Sequence, residues 1–143
     1  MTDDPLIRDF EDCRLPAGSF HHADHVRMAF LYLSRFPPLE ALGRFSRALE
    51  QMAAAHGKPN RYHETITWSY VFLIRERIGR RTRDTGCPPT WDEFAAENPD
   101  LLCRKEHALK NYYLDKTLGS AIARTLFILP DRGLVQPASG TPV

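Results

Sequence analysis

Apolar residues recur at helical spacing along most of the chain, and nowhere do they alternate long enough to build a sheet. Residues 5–14 place Leu6, Phe10 and Cys13 on one side of a short helix, which Leu15-Pro-Ala-Gly-Ser19 breaks. From Phe20 to Ser34 a second helix repeats Val26, Ala29, Phe30 and Leu33, with Phe36 beyond, and His22 and His25 extend that buried stripe back by one turn. Pro37-Pro38 closes it. A third helix, about 38–56, presents Leu42, Phe45, Leu49, Met52 and His56 on one face and ends at Gly57-Lys-Pro-Asn60.

The stretch from Arg61 to about Arg81 is apolar on nearly every side. One row holds His63, Thr67, Tyr70 and Ile74; the next holds Glu64, Trp68, Val71 and Phe72. A helix of that kind belongs at the centre of its domain, here with Asn60 as cap. Further on, Thr90 and Glu93 form a capping-box signature for a short helix Trp91–Asn98. Leu101–Leu109 reads as another helix, Asn111–Leu118 is ambiguous, and Ser120–Phe127 is a short amphipathic stretch. The expectation is an all-α fold: a single helical domain over 1–133, built around the helix at about 61–81, with a flexible C-terminal tail over 134–143.

Composition narrows the function classes. Lys plus Arg number 19 against 18 Asp plus Glu, so net charge gives no reason to expect nucleic acid or an anionic membrane as partner. Arg80, Arg81 and Arg83 are read as a solvated helix end. No apolar run is long enough to span a membrane, and the acidic start does not resemble a signal peptide. Three cysteines without paired spacing, Cys13, Cys87 and Cys103, suit reduced thiols and a cytoplasmic location.

Two polar clusters open core-facing helices: His22, Asp24 and His25, then His63 and Glu64. Histidines at i and i+3 share a helix face and can ligate one ion; His63 would complete a three-histidine site with open coordination positions. Such a site predicts a divalent metal, zinc-like or iron, in an enzyme acting on a small organic molecule. Hydrolytic, hydration or lyase chemistry is slightly favoured over oxygenation. Glu64 would serve as general base or a further ligand, and Tyr62 would join it as a catalytic residue. Without metal, His63 and Glu64 would form an acid–base pair.

Around these residues, Asp24, Glu11, His56 and Tyr70 are candidates to join the site, with His56 read chiefly as structural. Tyr62, Tyr70, Tyr112, Tyr113 and Trp68 would line a pocket or simply fill the core. Thr65 and Thr67 would donate hydrogen bonds to ligands or back to their own helix. The competing expectation is a non-catalytic helical binding module, with a homodimer as its candidate assembly, whose buried histidines are structural and in which Glu64 pairs with Arg61 or Arg75.

Phe20-x-His22-x-Asp24-His25-Val-Arg27-x-Ala29 and Tyr62-His63-Glu64-Thr65 resemble the two signatures of a family of small, mostly uncharacterised bacterial proteins. The likeness extends through Trp91-Asp-Glu-Phe94 and Pro99 to Leu129-Pro-Asp131. It implies one compact domain and directs attention to the same polar clusters, without supplying a reaction.

Overall fold

The computed structural model describes residues 4–16, 18–105 and 107–133. Among these residues there are eight α-helices, two short 3-10 turns and no strand, so the all-α expectation holds. Three helices lead: α1 (Pro5–Glu11), α2 (His22–Arg35) and α3 (Pro38–Ala55). A 3-10 turn at Pro59–Arg61 precedes the long α4 (Glu64–Thr85). Short elements then follow: α5 (Trp91–Glu97), α6 (Pro99–Leu102), a 3-10 turn at Ala108–Asn111, α7 (Asp115–Leu118) and α8 (Ala121–Thr125).

Two helices share the centre. α2 packs against α1, α3, α4 and α6, while α4 packs against α2, α3, α8 and the second 3-10 turn. Being covered from several directions widens the buried surface of α2 to Val26, Met28, Ala29, Phe30 and Tyr32. Phe30 meets Trp91 and Phe94 with ring centroids 5.5 and 5.0 Å away, docking α5.

In α1 the buried pair is Ile7 and Phe10, one turn apart, and Leu6 is exposed, which corrects the expected Leu6–Phe10–Cys13 face. The helix stops at Glu11, and Cys13 turns out of it in the left-handed region at φ 56°. Phe10 stacks between Phe20 and Phe45 at 5.3 and 5.7 Å, so Phe10→Ala would cost about 3–5 kcal/mol. Glu11 ties three helices together. It accepts from the Tyr32 hydroxyl at 2.7 Å and from Arg44 at 3.0 and 3.2 Å. Burial opposes ionisation of Glu11, but hydrogen bonds from Arg44 and Tyr32 outweigh it and hold the carboxyl below its ordinary range.

α4 begins three residues later than expected. Asn60 lies in the 3-10 turn, and the cap is His63, whose Nδ1 accepts from the Ile66 amide at 3.1 Å. Gly86, at φ 85°, ends the helix in the left-handed conformation that glycine adopts without strain. Nor is α4 buried on every side: Phe72 is 42% exposed, and Arg75 and Glu76 face solvent.

The capping box of α5 forms as its sequence predicts, with Glu93 N–H to Thr90 Oγ1 at 3.2 Å and Thr90 N–H to Glu93 Oε1 at 2.9 Å. By contrast, Leu101–Leu109 is not one helix. α6 ends at Leu102, Cys103 is extended, and a 3-10 turn starts at Ala108. The C-terminal segment is laced across α4 through Thr65, which donates to the Leu126 carbonyl at 2.7 Å and accepts from the Ile128 amide at 3.1 Å. That is a structural use of Thr65, different from both expected ones, a hydrogen bond to the ligands or one back to its own helix. Asp131 accepts from the Leu114 amide at 3.0 Å and from the Thr117 hydroxyl. The tail over 134–143 lies outside the described residues.

Candidate functional site

The histidines of the two polar clusters line one pocket, while Asp24 and Glu64 are not on its wall. The start of α2, the end of α3, the turn before α4 and the first turn of α4 enclose a pocket of about 530 Å3 whose wall includes His22, His25, His56, Tyr62 and His63. A smaller cavity of about 60 Å3 lies beside it, among Val26, Ala29, Phe45 and Tyr70. The two cavities share His22, His25, Leu49, Ile66 and Thr67 as lining residues, so they adjoin across the helix faces that bear the histidines.

Each histidine is held differently. His63 Nε2 lies 2.7 Å from the Leu118 carbonyl, which can only accept, while its Nδ1 accepts from the Ile66 amide. Both ring nitrogens are therefore committed, and the ring is the neutral Nε2–H tautomer. Burial pushes its pKa down. His22 Nε2 donates to the Leu101 carbonyl at 2.9 Å, and the ring stands edge-on to Tyr70 at 5.0 Å. Burial lowers its pKa too, against the opposing hydrogen bond to Leu101. His56 Nε2 donates to the Leu15 carbonyl at 3.1 Å, which ties Leu15 to the C-terminal end of α3.

His25 differs from the other three. Its ring lies against Phe20, 4.4 Å between centroids, and makes no hydrogen bond to a described residue. Burial drives its pKa down to about 4; His22 and Arg104 push the same way and Asp24 opposes them. At neutral pH this imidazole is uncharged, with one basic nitrogen and one N–H.

The metal expectation meets a specific obstacle. His22, His25 and His63 share a wall, but His63 cannot ligate an ion without giving up at least its cap on α4: through Nδ1 it loses that cap, and through Nε2 it loses the bond to Leu118 as well. Among the described residues, no group of three His, Cys, Asp or Glu side chains is placed to hold a metal. With His63 Nδ1 committed to the cap, the three rings do not make a three-histidine centre in this arrangement.

Tyr62 lines the pocket, and its hydroxyl donates to Glu64 Oε1 in a short contact. Glu64 therefore accepts from Tyr62 rather than pairing with Arg61 or Arg75, and it is not itself on the pocket wall. Burial, and then the Glu64 carboxylate, raise the Tyr62 pKa, so the phenol stays protonated. Tyr70 faces the inner cavity and has no hydrogen-bond partner of good geometry among the described residues. Burial pushes its phenol up to about 12, the Ala108 backbone partly offsetting this.

Several candidates lie elsewhere. Asp24 accepts from the His21 amide at 2.9 Å, locking the first turn of α2. Glu11 is committed to Arg44 and Tyr32. Tyr113 is buried between Ser69, 3.1 Å away, and the Ile128 carbonyl, while Tyr112 is at the surface. Trp68 stacks on Phe127 at 5.5 Å.

The sequence reading missed three basic residues on the pocket wall: Lys58, Arg61 and Arg104. Arg61 directly precedes Tyr62-His63-Glu64, a signal that was available; Arg104 reaches the site only because α6 folds back on α2. Comparison of the chain with protein-family models, curated proteins and solved structures finds no match, so the functional reading rests on this geometry.

Proposed function

We propose that this protein is an enzyme acting on a small organic molecule in the 530 Å3 pocket, with His25 moving a proton to or from the substrate. The observation that supports this best is the state of His25: neutral, in contact with both cavities, and unbonded to any described residue. Structural histidines here look different, since His56 and His63 are each fixed by a backbone carbonyl. With a pKa near 4 the free imidazole is a weak base, but negative charge on a bound substrate raises it toward neutrality, where proton transfer is most effective. Tyr62, its own proton held by Glu64, offers the phenolic oxygen as an acceptor on the same pocket wall. Hydrolysis, hydration or elimination are the reactions this set can serve. Cys13, Cys87 and Cys103, none of them in a disulfide, suit action in the cytoplasm.

The test is a panel of activated esters and hydroxy- and keto-acids incubated with wild type and with His25→Gln, products being followed by NMR. Turnover that falls about a hundredfold or more in His25→Gln, with helicity and unfolding midpoint retained, is the expected result. Turnover indifferent to that substitution, or a His25 resonance titrating near 6.5 in the free protein, overturns the proposal.

A second reading, a binding or self-associating module, has its own observation. Phe72, Leu126 and Leu129 are 42, 56 and 73% exposed, and Phe72 meets Phe127 at 5.4 Å. Sedimentation of wild type beside Leu126→Asp decides it: a dimer that the substitution splits supports the module, whereas a monomer in both removes it.

A further inference from the structure

We infer that the ligand of the histidine pocket is a small organic anion with a short apolar chain, its charged group at Arg61, Lys58 and Arg104 and its chain directed past His22 and His25 into the inner cavity. This rests on the preceding reading for the location of the ligand, and adds what the ligand is.

The charge of the wall is the first ground. Lys58, Arg61 and Arg104 all line the pocket, and no carboxylate does among the described residues. None of the three makes an ion pair with a described residue, although arginines elsewhere do: Arg44 with Glu11, Arg77 with Asp100, Arg81 with Glu93. Arg104, though exposed, lies close enough to His22 and His25 for its charge to depress the pKa of both. A concave surface with one sign of charge and low-dielectric walls concentrates ligands of the opposite sign. For a cationic ligand or a bare divalent ion, the same wall is repulsive.

The shape is the second ground. Beyond the histidines the lining turns apolar, with Val26, Ala29, Phe45 and Leu49 around the 60 Å3 cavity. That volume holds about four water-sized atoms, the size of a propyl or butyl end. An apolar end buried against these four side chains is favoured, while His22, His25, Thr67 and Tyr70 keep the rest of the lining polar. Between charged mouth and apolar floor, His25 stands beside the atoms next to the anionic group, where a proton transfer would alter an acid's α or β carbon or an ester bond adjoining it.

The experiment is isothermal titration of the full chain with two ligand series. One varies the head on a fixed six-carbon chain: hexanoate, hexyl phosphate, hexanol, hexylamine. The other varies the chain on a carboxylate: acetate, butyrate, hexanoate, octanoate. The expected result is binding of the anions only, with affinity rising about tenfold or more from acetate to octanoate. Whichever of carboxylate and phosphate binds more tightly identifies the head group. Arg61→Ala and Arg104→Ala, both at exposed positions, should each weaken the anions about tenfold without moving the unfolding midpoint. Ala29→Leu, which fills the inner cavity, should remove the advantage of octanoate over butyrate and leave acetate unchanged; the wild-type chain series reads the same point if that variant does not fold. Hexanol or hexylamine binding as tightly as hexanoate, affinity flat along the chain series, or no anion bound at millimolar concentration overturns the inference. Anion binding without His25-dependent turnover would sink the catalytic reading alone. His25-dependent turnover of a neutral or cationic substrate would sink this one alone.

Discussion

Two sets of basic side chains lie toward opposite ends of α4, and their surroundings differ. In the C-terminal half, Arg77 grips both oxygens of Asp100 at 2.7 and 2.8 Å and also reaches Asn98 Oδ1 at 3.1 Å. Arg81 bridges Glu93 and Glu97 at 3.0 and 3.3 Å. Ahead of the N-terminal half, Lys58 and Arg61 share a pocket wall with Arg104 and five histidines, with no described carboxylate on that wall. Where carboxylates from α5 and α6 meet the arginines, the charges fix the short helices to the long one. Where they do not, the charge is left for something the chain does not supply. Composition hides this, since a net charge of +1 averages a neutralised end with an uncompensated one.

Acid separates the two ends most strongly. His22, His25 and His63 all have folded-state pKa values below the ordinary 6.5, so between the two values the unfolded chain binds more protons than the folded one. Their stability contribution is full above 6.5 and declines as pH falls through the folded value. For His25, moved from 6.5 to about 4, that amounts to about 3 kcal/mol. Asp100, whose carboxyl Arg77 holds below its usual value, loses its contribution only in more acid solution, below about 3.8. Urea unfolding at pH 7, 6, 5 and 3.5 should therefore show a decline that starts near 6.5, and His25→Gln should flatten its upper part. A flat profile between 7 and 5 would mean that the histidines are solvated and the pocket is not as enclosed as described.

Charge reversal at one pocket cation tests the electrostatic half of the contrast. Arg104→Glu should lift the pKa of His22 and His25, because Arg104 now depresses both, and His25 is the more informative probe. The readout is the histidine ring resonances across a pH titration, with an upward shift of about half a unit or more expected. No movement would mean that Arg104 points to solvent, and it would weaken the case for an anion at that wall.

How much of this was legible in the chain depended on the range of the cause. The helices over 22–35 and 38–55 follow from local periodicity and prolines, and the α5 capping box from Thr90 and Glu93 alone. That His22, His25 and His63 each extend a buried stripe was also readable; that the stripes face one space comes only with the packing. What each ring does was not. Leu118, which receives the His63 proton, and Leu101, which receives that of His22, are 55 and 79 residues away. Metal-like spacing and capped, carbonyl-bonded histidines look identical in sequence, because only the partner of the second nitrogen tells them apart. The start of α4 shows the same limit: Asn60 is a good cap by residue type, yet Pro59–Arg61 takes a 3-10 turn and the cap passes to His63.

The smallest expected effect closes the comparison from the other end. Arg77→Ala removes a two-pronged ion pair that is partly exposed, with side-chain accessibilities of 28 and 47% for Arg77 and Asp100. Solvent screening limits such a pair to about 0.5–1 kcal/mol, the geometry favouring the upper value. Some of the loss is recovered because Asp100 returns to water, while Asn98 keeps its own bond to the Phe94 carbonyl at 2.9 Å. Since α6 carries Leu101, whose carbonyl receives the His22 proton, loosening α6 has a route to the pocket. If that route transmits, anion affinity falls along with stability in Arg77→Ala; if the α2–α6 packing holds Leu101 in place on its own, affinity stays at the wild-type value. We expect the second outcome, because Leu101 is fully buried and anchored by apolar contact rather than by the ion pair. Titration of hexanoate into Arg77→Ala beside its urea midpoint measures both at once, and a parallel loss would show that the two ends of α4 act as one unit.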